Sequence, residues 1–135
     1  MKTPSQIVHE MMNGDHFSKW LGLNVLEVDK GSCTLSMVVT AEMVNGFTIA
    51  HGGITYSIAD SALAFASNGY GNKCVSIETS ISHTRPAQVG DRLTAYCNEL
   101  HRGKTIGIYQ VDVKNQHDKT IALFKGTVHI SKDEW

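Results

Sequence analysis

Asn45, His51, Gly52, Gly53 and Asp60 sit in one short stretch of the chain, and their types suit chemistry on a carbonyl group. Asp60 is the only charged side chain between Ile54 and Gly69. At about 100° per residue, Ile54, Ile58, Ala62 and Phe65 share one helical face, while Tyr56, Asp60, Leu63 and Ser67 share the opposite one. Neither face has the charge of a solvated surface, so this helix is expected to be buried on both sides. A carboxylate is costly there unless it is paired, hydrogen-bonded or used, and perturbed acids cluster at functional sites. The plainer alternative makes Asp60 an acceptor for Tyr56 or Ser57, or turns it to water. Upstream, the paired glycines after His51 let backbone N–H groups come close to a ligand. A helix N-terminus of that kind can hold a carbonyl oxygen as it gains negative charge. A tight turn would use the same glycines, so the specificity comes from Asn45 on one side and the lone Asp60 on the other.

Composition narrows the functional classes. A chain of 135 residues makes one domain, residues 1–135, with room for a single core and not for separate cofactor and substrate domains. With 12 basic and 13 acidic residues and no basic run, nucleic acid and anionic membranes are not expected partners. No stretch approaches a membrane span and no apolar leader segment follows Met1, so the expected compartment is the cytoplasm. Cys33, Cys74 and Cys97 are odd in number and widely spaced, which argues against a disulfide scaffold. The seven histidines are scattered without metal-ligand spacing. No serine lies in a Gly-x-Ser-x-Gly elbow, and Cys74 has no evident base beside it. Gly69-x-Gly71 lacks the third glycine of a dinucleotide loop.

The elements that must position the carbonyl-binding stretch can be read from pattern. Thr3 and Gln6 form a capping box with Pro4 at the first helical position, so a short amphipathic helix should run to about Asn13-Gly14. Trp20–Val28 and Cys33–Val39 read as a strand pair around the turn Asp29–Ser32. Residues 40–53 form a loop, and the long helix follows. Four further strands are expected at Cys74–Thr84, Arg92–His101, Thr105–Lys114 and Thr120–Ser131, as an antiparallel meander. In the first of these, Val75, Ile77, Thr79 and Ile81 alternate with Ser76, Glu78, Ser80 and Ser82.

The pattern Asn45-Gly46-x4-His51-Gly52-Gly53-x6-Asp60 resembles the central motif of hotdog-fold acyl-CoA thioesterases of the phenylacetate-degradation type. Arg85-Pro86-Ala87-x2-Gly90-Asp91, Gly103-Lys104-Thr105 and Phe124-Lys125-Gly126-Thr127 resemble further signatures of that family, and the likeness runs from roughly Trp20 to Ile130. The resemblance implies an α+β hotdog fold, with an antiparallel sheet of about six strands wrapped around one long helix and a short N-terminal helix at its edge. It implies hydrolysis of an acyl-CoA, whose coenzyme A is part of the substrate, with no other cofactor and no metal. Under it, Asp60 activates water or attacks directly, with water activation favoured. Gly53 N–H stabilises the oxyanion, Asn45 orients the carbonyl or the water, His51 holds the loop, and Ser76 helps orient the water.

Tyr56 and Leu63 share the face of Asp60, and Phe47 and Ile49 lie in the adjoining loop, so these residues are candidates for an apolar pocket taking an aryl or medium-chain acyl group. Phenylacetyl-type esters come first because the resembled family suggests them. Arg85, Arg102, Lys104 and Lys125 are candidates for the phosphates of coenzyme A. Two other readings stay open. A hotdog hydratase or dehydratase would pair a histidine with the helix carboxylate, but His51 lacks the His-x-Pro-Gly context of that group. A non-catalytic acyl-CoA-binding module would keep the glycine helix start, and the retained Asp60 favours catalysis over it.

Helix geometry adds an expectation about assembly. Gly53 and Asp60 are roughly 10 Å apart along the axis at 1.5 Å per residue, too far to serve one carbonyl together. A homodimer with antiparallel helices would bring Asn45 and Gly53 of one subunit to Asp60 and Ser76 of the other, and such dimers could pair again into a tetramer.

Overall fold

The computed structural model describes all residues, 1–135. Helix α1 spans Pro4–Gly14 and opens with the expected capping box: Gln6 N–H donates to Thr3 Oγ1, and Thr3 N–H to Gln6 Oε1. Its buried residues are Ile7 and Val8, and it packs against the long helix and the first strand. A second short helix, α2 (His16–Leu21), occupies the place where a strand was expected to begin at Trp20. Local capping accounts for it. The carboxylate of Asp15 accepts Ser18 N–H at 2.9 Å, and Gly22 ends the helix at φ 72°, a left-handed turn that glycine adopts without cost.

Strands β1 (Asn24–Asp29) and β2 (Ser32–Val38) form the expected hairpin. The long helix α3 runs Gly52–Asn68 and lies across one face of a six-stranded sheet. Strands β3 (Asn72–His83), β4 (Arg92–Arg102), β5 (Ile106–Lys114) and β6 (Thr120–Glu134) complete the sheet, whose order is β1-β2-β4-β5-β6-β3 with every pair antiparallel. Only β4, β5 and β6 form a meander. β3 pairs with β6, and the segment after it crosses back so that β4 can join β2. That segment is held by backbone bonds from Thr84 N–H to Ile121 O and from Ala50 N–H to Ala87 O. Pairing β4 with β2 closes the sheet around α3, a non-local gain that the turn signals beside β3 do not carry.

One face of α3 is covered completely: Ile54, Ile58, Ala62 and Phe65 are buried against the sheet. Another stripe is left partly open, through Gly53, Ser57, Asp60, Ser61 and Ala64. β3 flanks this stripe as an edge strand. Its Val75 and Ile77 are 64% and 57% exposed, so the expected alternation of a buried apolar face does not hold here. A register irregularity between Ser76 and Glu78 contributes to that break.

Candidate active site

Asp60 lies in the partly open stripe of α3, and its carboxylate has no ion-pair or hydrogen-bond partner within the chain. The neighbours that offered the plainer reading are engaged elsewhere. Tyr56 Oη is 2.8 Å from Thr79 Oγ1, and Ser57 Oγ donates to Gly53 O at 2.6 Å. Burial raises the pKa of Asp60 above the usual carboxylate value, and the negative charge of Asp15 raises it further. Asp60 shares a cavity of about 250 Å3 with Leu63, Ala64, Cys74 and Ser76. Ser76, carried by β3, thus lines the same cavity as the carboxylate.

The N-terminus of α3 forms the second part. His51 is the N-cap, and its side chain turns back over the helix so that Nδ1 accepts Gly53 N–H at 2.9 Å. Gly53 N–H, the expected oxyanion donor, is thus engaged within the chain, while Gly52 N–H has no acceptor there. The free backbone donor at this helix end is Gly52, one residue earlier. The loop before it is shaped by Asn45, whose Oδ1 accepts Phe47 N–H at 2.9 Å, leaving the Nδ2 hydrogens for another partner. Asn45 and Gly52 line a cavity of about 430 Å3 together with Thr55, His83 and Arg85.

On the other side of the same helix end lies a third cavity, of about 380 Å3, between Phe17, Trp20, Glu42, His51, Gly53 and Ser57. Its aromatic wall comes from α2. The rings of Phe17 and Trp20 stand 5.9 Å apart between centroids and tilt by 35°, and α2 is tied to α3 by the Ser18 and Ser61 hydroxyls at 2.9 Å. The sequence pattern hides this wall, because Trp20 opens a run that reads as a strand whereas it lies in α2. Asp15 before Ser18, with Gly22 beyond, was the capping signal that could have revealed it. His83, at the end of β3, is not singled out by the pattern either; it stands on the side of the alternation that carries Val75, Ile77, Thr79 and Ile81.

Several expected ligand-binding side chains stand elsewhere. Tyr56 packs within the chain, its ring edge-on to Phe124 with centroids 5.5 Å apart. Phe47 is 85% exposed and lines none of these cavities. Arg102 is committed to the interior: it donates to Ser67 O and Tyr109 Oη and stacks 3.8 Å from the Tyr70 ring centroid. Its positive charge meets the carbonyl of Ser67 near the C-terminus of α3, a favourable placement that engages its Nη1 inside the chain. Lys104 and Lys125 are exposed and line none of these cavities. Arg85 alone of the four cationic candidates lines one. The thiols are poor nucleophiles: burial pushes Cys33 up to about 12 and raises Cys74 and Cys97 as well. No group of three or more His, Cys, Asp or Glu side chains is arranged to hold a metal, and no helix is long and apolar enough to cross a membrane.

One chain therefore carries an unpaired acid in a cavity that a serine also lines, and a helix N-terminus with a free donor flanked by two cavities. Residues 47–122 match the thioesterase superfamily. The acyl-coenzyme A thioesterase PaaI of Escherichia coli K12 is 40% identical over 124 residues, 92% of this chain and 89% of that protein. The chain belongs to the thioesterase superfamily. Its hotdog architecture is shared with the solved E. coli PaaI protein from the phenylacetic acid degradation operon, at a TM-score of 0.95 and 38% identity over 97% of this chain and 95% of that one. A putative esterase of Archaeoglobus fulgidus is 39% identical over 119 residues, 88% of this chain and 77% of its own length.

Proposed function

We propose that this protein is an acyl-CoA thioesterase that works as a homodimer, hydrolysing the thioester to a free acid and coenzyme A. The observation that carries the reading is the unpaired, partly buried carboxylate of Asp60 in a superfamily helix that begins with a free glycine N–H. In the proposed reaction Asp60 takes a proton from water held near Ser76, and the resulting hydroxide attacks the carbonyl carbon. Gly52 N–H and the Nδ2 group of Asn45 receive the oxygen as it becomes negative. Collapse of the tetrahedral intermediate breaks the C–S bond and expels the thiolate of coenzyme A. Asp60 passes the proton it took from water to the leaving sulfur, so the products are the free acid and the thiol and Asp60 is again a carboxylate. No cofactor beyond the substrate's own coenzyme A enters this scheme.

Asp60 and Gly52 cannot serve one carbonyl from the same helix. Eight residues separate them, about 12 Å along the axis, whereas reacting groups must close to about 3–3.5 Å. A second copy running antiparallel over the open stripe would bring Asp60 and Ser76 of one subunit to Asn45 and Gly52 of the other. The stripe suits that contact, because glycine, serine and alanine allow close helix approach, and the exposed Val75 and Ile77 on the adjacent strand edge would be covered. Two such dimers could pair again into a tetramer.

The two cavities at the helix end divide the substrate between them. Arg85 lines one, which suits the phosphate-bearing arm, whereas Glu42 lines the other and would repel phosphate. The acyl group is therefore assigned to the side of Phe17 and Trp20, where an aryl group has aromatic partners. Thiol release from a panel of acyl-CoA esters tests the reading. No turnover of any ester, with binding retained, would favour a non-catalytic acyl-CoA-binding module.

A further inference from the structure

His83 stands at the end of β3 with its ring over the start of α3. A Cβ placed on Gly52 would come within 3.2 Å of His83 Cε1. Its Nε2 is 2.6 Å from Thr55 Oγ1, and Thr55 Oγ1 donates to Gly52 O at 3.0 Å. A threonine hydroxyl has one proton. With that proton on Gly52 O, the hydroxyl can only accept from His83, so Nε2 must carry the imidazole hydrogen.

The Gly52 carbonyl and the Gly53 N–H belong to one peptide unit, and that N–H ends on His51 Nδ1. Two histidines from different elements are thus joined through a single peptide. In that tautomer His83 Nε2–H donates to Thr55, Thr55 O–H donates to the Gly52 carbonyl, and Gly53 N–H donates to His51 Nδ1. Every donor points the same way along this chain, an arrangement in which each bond strengthens the next. A glycine pair has unusual backbone freedom, and here both ends of its shared peptide are held.

We propose that His83 is a positioning residue: acting through Thr55, it locks the Gly52–Gly53 peptide and thereby aims the neighbouring Gly52 N–H at the thioester carbonyl. This rests on the proposed use of that N–H as an oxyanion donor. His83 need not touch the substrate. Its effect is on orientation, where a misplacement of about 1 Å can cost on the order of a hundredfold in rate.

Two measurements on the intact protein test it. Side-chain 15N NMR at neutral pH should find hydrogen on Nε2 of His83 and a bare Nδ1 on His51. A His83 carrying its only hydrogen on Nδ1 would overturn the proposal, since Thr55 would then donate to His83 and no longer to the Gly52 carbonyl. In kinetics, His83→Phe and Thr55→Val should each lower kcat by about 10–100-fold with KM within about twofold. His83→Gln, which keeps an N–H donor, should recover part of the loss. The double variant should be no worse than the poorer single one, the sign of a shared path. Unchanged kcat, purely additive losses, or a rise in KM alone would each overturn it. If His83→Phe does not fold, Thr55→Val and His83→Gln still decide. A wild-type protein that hydrolyses no acyl-CoA would defeat the functional reading and the positioning role together, while the tautomers would report separately on the hydrogen-bond chain.

Discussion

The carboxylate of Asp15 acts on that of Asp60 across the contact between α2 and α3, where the Ser18 and Ser61 hydroxyls meet at 2.9 Å. Neither acid is in an ion pair. Asp15 is held in place by its own duty, capping α2 through Ser18 N–H and Ser18 Oγ. A structural carboxylate thus tunes the proposed catalytic one from a distance, and burial does the larger share of the work.

Asp15→Asn should separate those two roles. Asparagine keeps the cap but removes the charge that adds to burial in raising the Asp60 pKa. The base form of Asp60 is the working form in the proposed reaction, so activity should fall as the pH drops through its pKa. In Asp15→Asn that acid limb of kcat/KM should move to lower pH, with the fold intact by circular dichroism. A limb that stays in place, or moves upward, would detach Asp60 from the pH profile.

Asp60→Asn should lower kcat by about a hundredfold to ten-thousandfold, the usual worth of a general base, and it should not cost stability. The pKa of Asp60 is raised in the folded chain, so folding favours its protonated form. That contribution is complete below the unfolded value and is lost as the pH rises through the folded one. At neutral pH the ionised carboxylate is a net cost, which asparagine removes. Thermal melting at neutral pH should rise by on the order of a degree or two, and the gain should vanish in acid. A lower melting temperature at neutral pH would mean that Asp60 is a structural group.

How much of this could be read from residues alone depended on whether the deciding interaction was local. The capping box of Thr3 and Gln6, the hairpin at Gly31 and the helix start at His51 are local, and the structure has all three. The pairing of β3 with β6 was not legible, because it is settled by closing the sheet on α3 and not by the turn beside β3. Tyr56 and Asp60 share a helical face by periodicity, yet the Tyr56 ring leans across to Phe124 and Thr79. A face of a helix does not say which way a long side chain lies. Arg102 was a plausible phosphate ligand by its position near a turn, and only the packing of Tyr70 and Tyr109 reveals that it is spent inside.

Trp20→Ala tests the division of the cavities. Trp20 and Phe17 are 48% and 53% exposed, so removing one ring should change stability little. Lost contact with an aryl ring should lower the ratio of kcat/KM for phenylacetyl-CoA to that for acetyl-CoA by about tenfold, from the worth of an aromatic contact in a partly buried site. An unchanged ratio would move the acyl group out of that cavity. If light scattering found Trp20→Ala monomeric while the wild type is a dimer, the ring would belong to the subunit contact.

The shared site makes the sharpest prediction. Asn45 lines one cavity with Gly52, while Asp60 lines another with Ser76 on the same chain. If each reaction centre takes Asn45 and Gly52 from one subunit and Asp60 and Ser76 from its partner, Asn45→Ala and Asp60→Asn damage complementary halves. Each variant alone spoils both centres of its dimer. Mixed and refolded together, half the dimers would be hybrids in which one centre collects both lesions and the other neither. One intact centre in such a dimer restores about a quarter of the wild-type activity per chain, given statistical exchange. Were all the parts drawn from a single chain, every centre would keep a lesion and mixing would restore nothing. Hybrids purified through two different affinity tags and still inactive would therefore end the shared-site mechanism and leave Asp60 without its carbonyl.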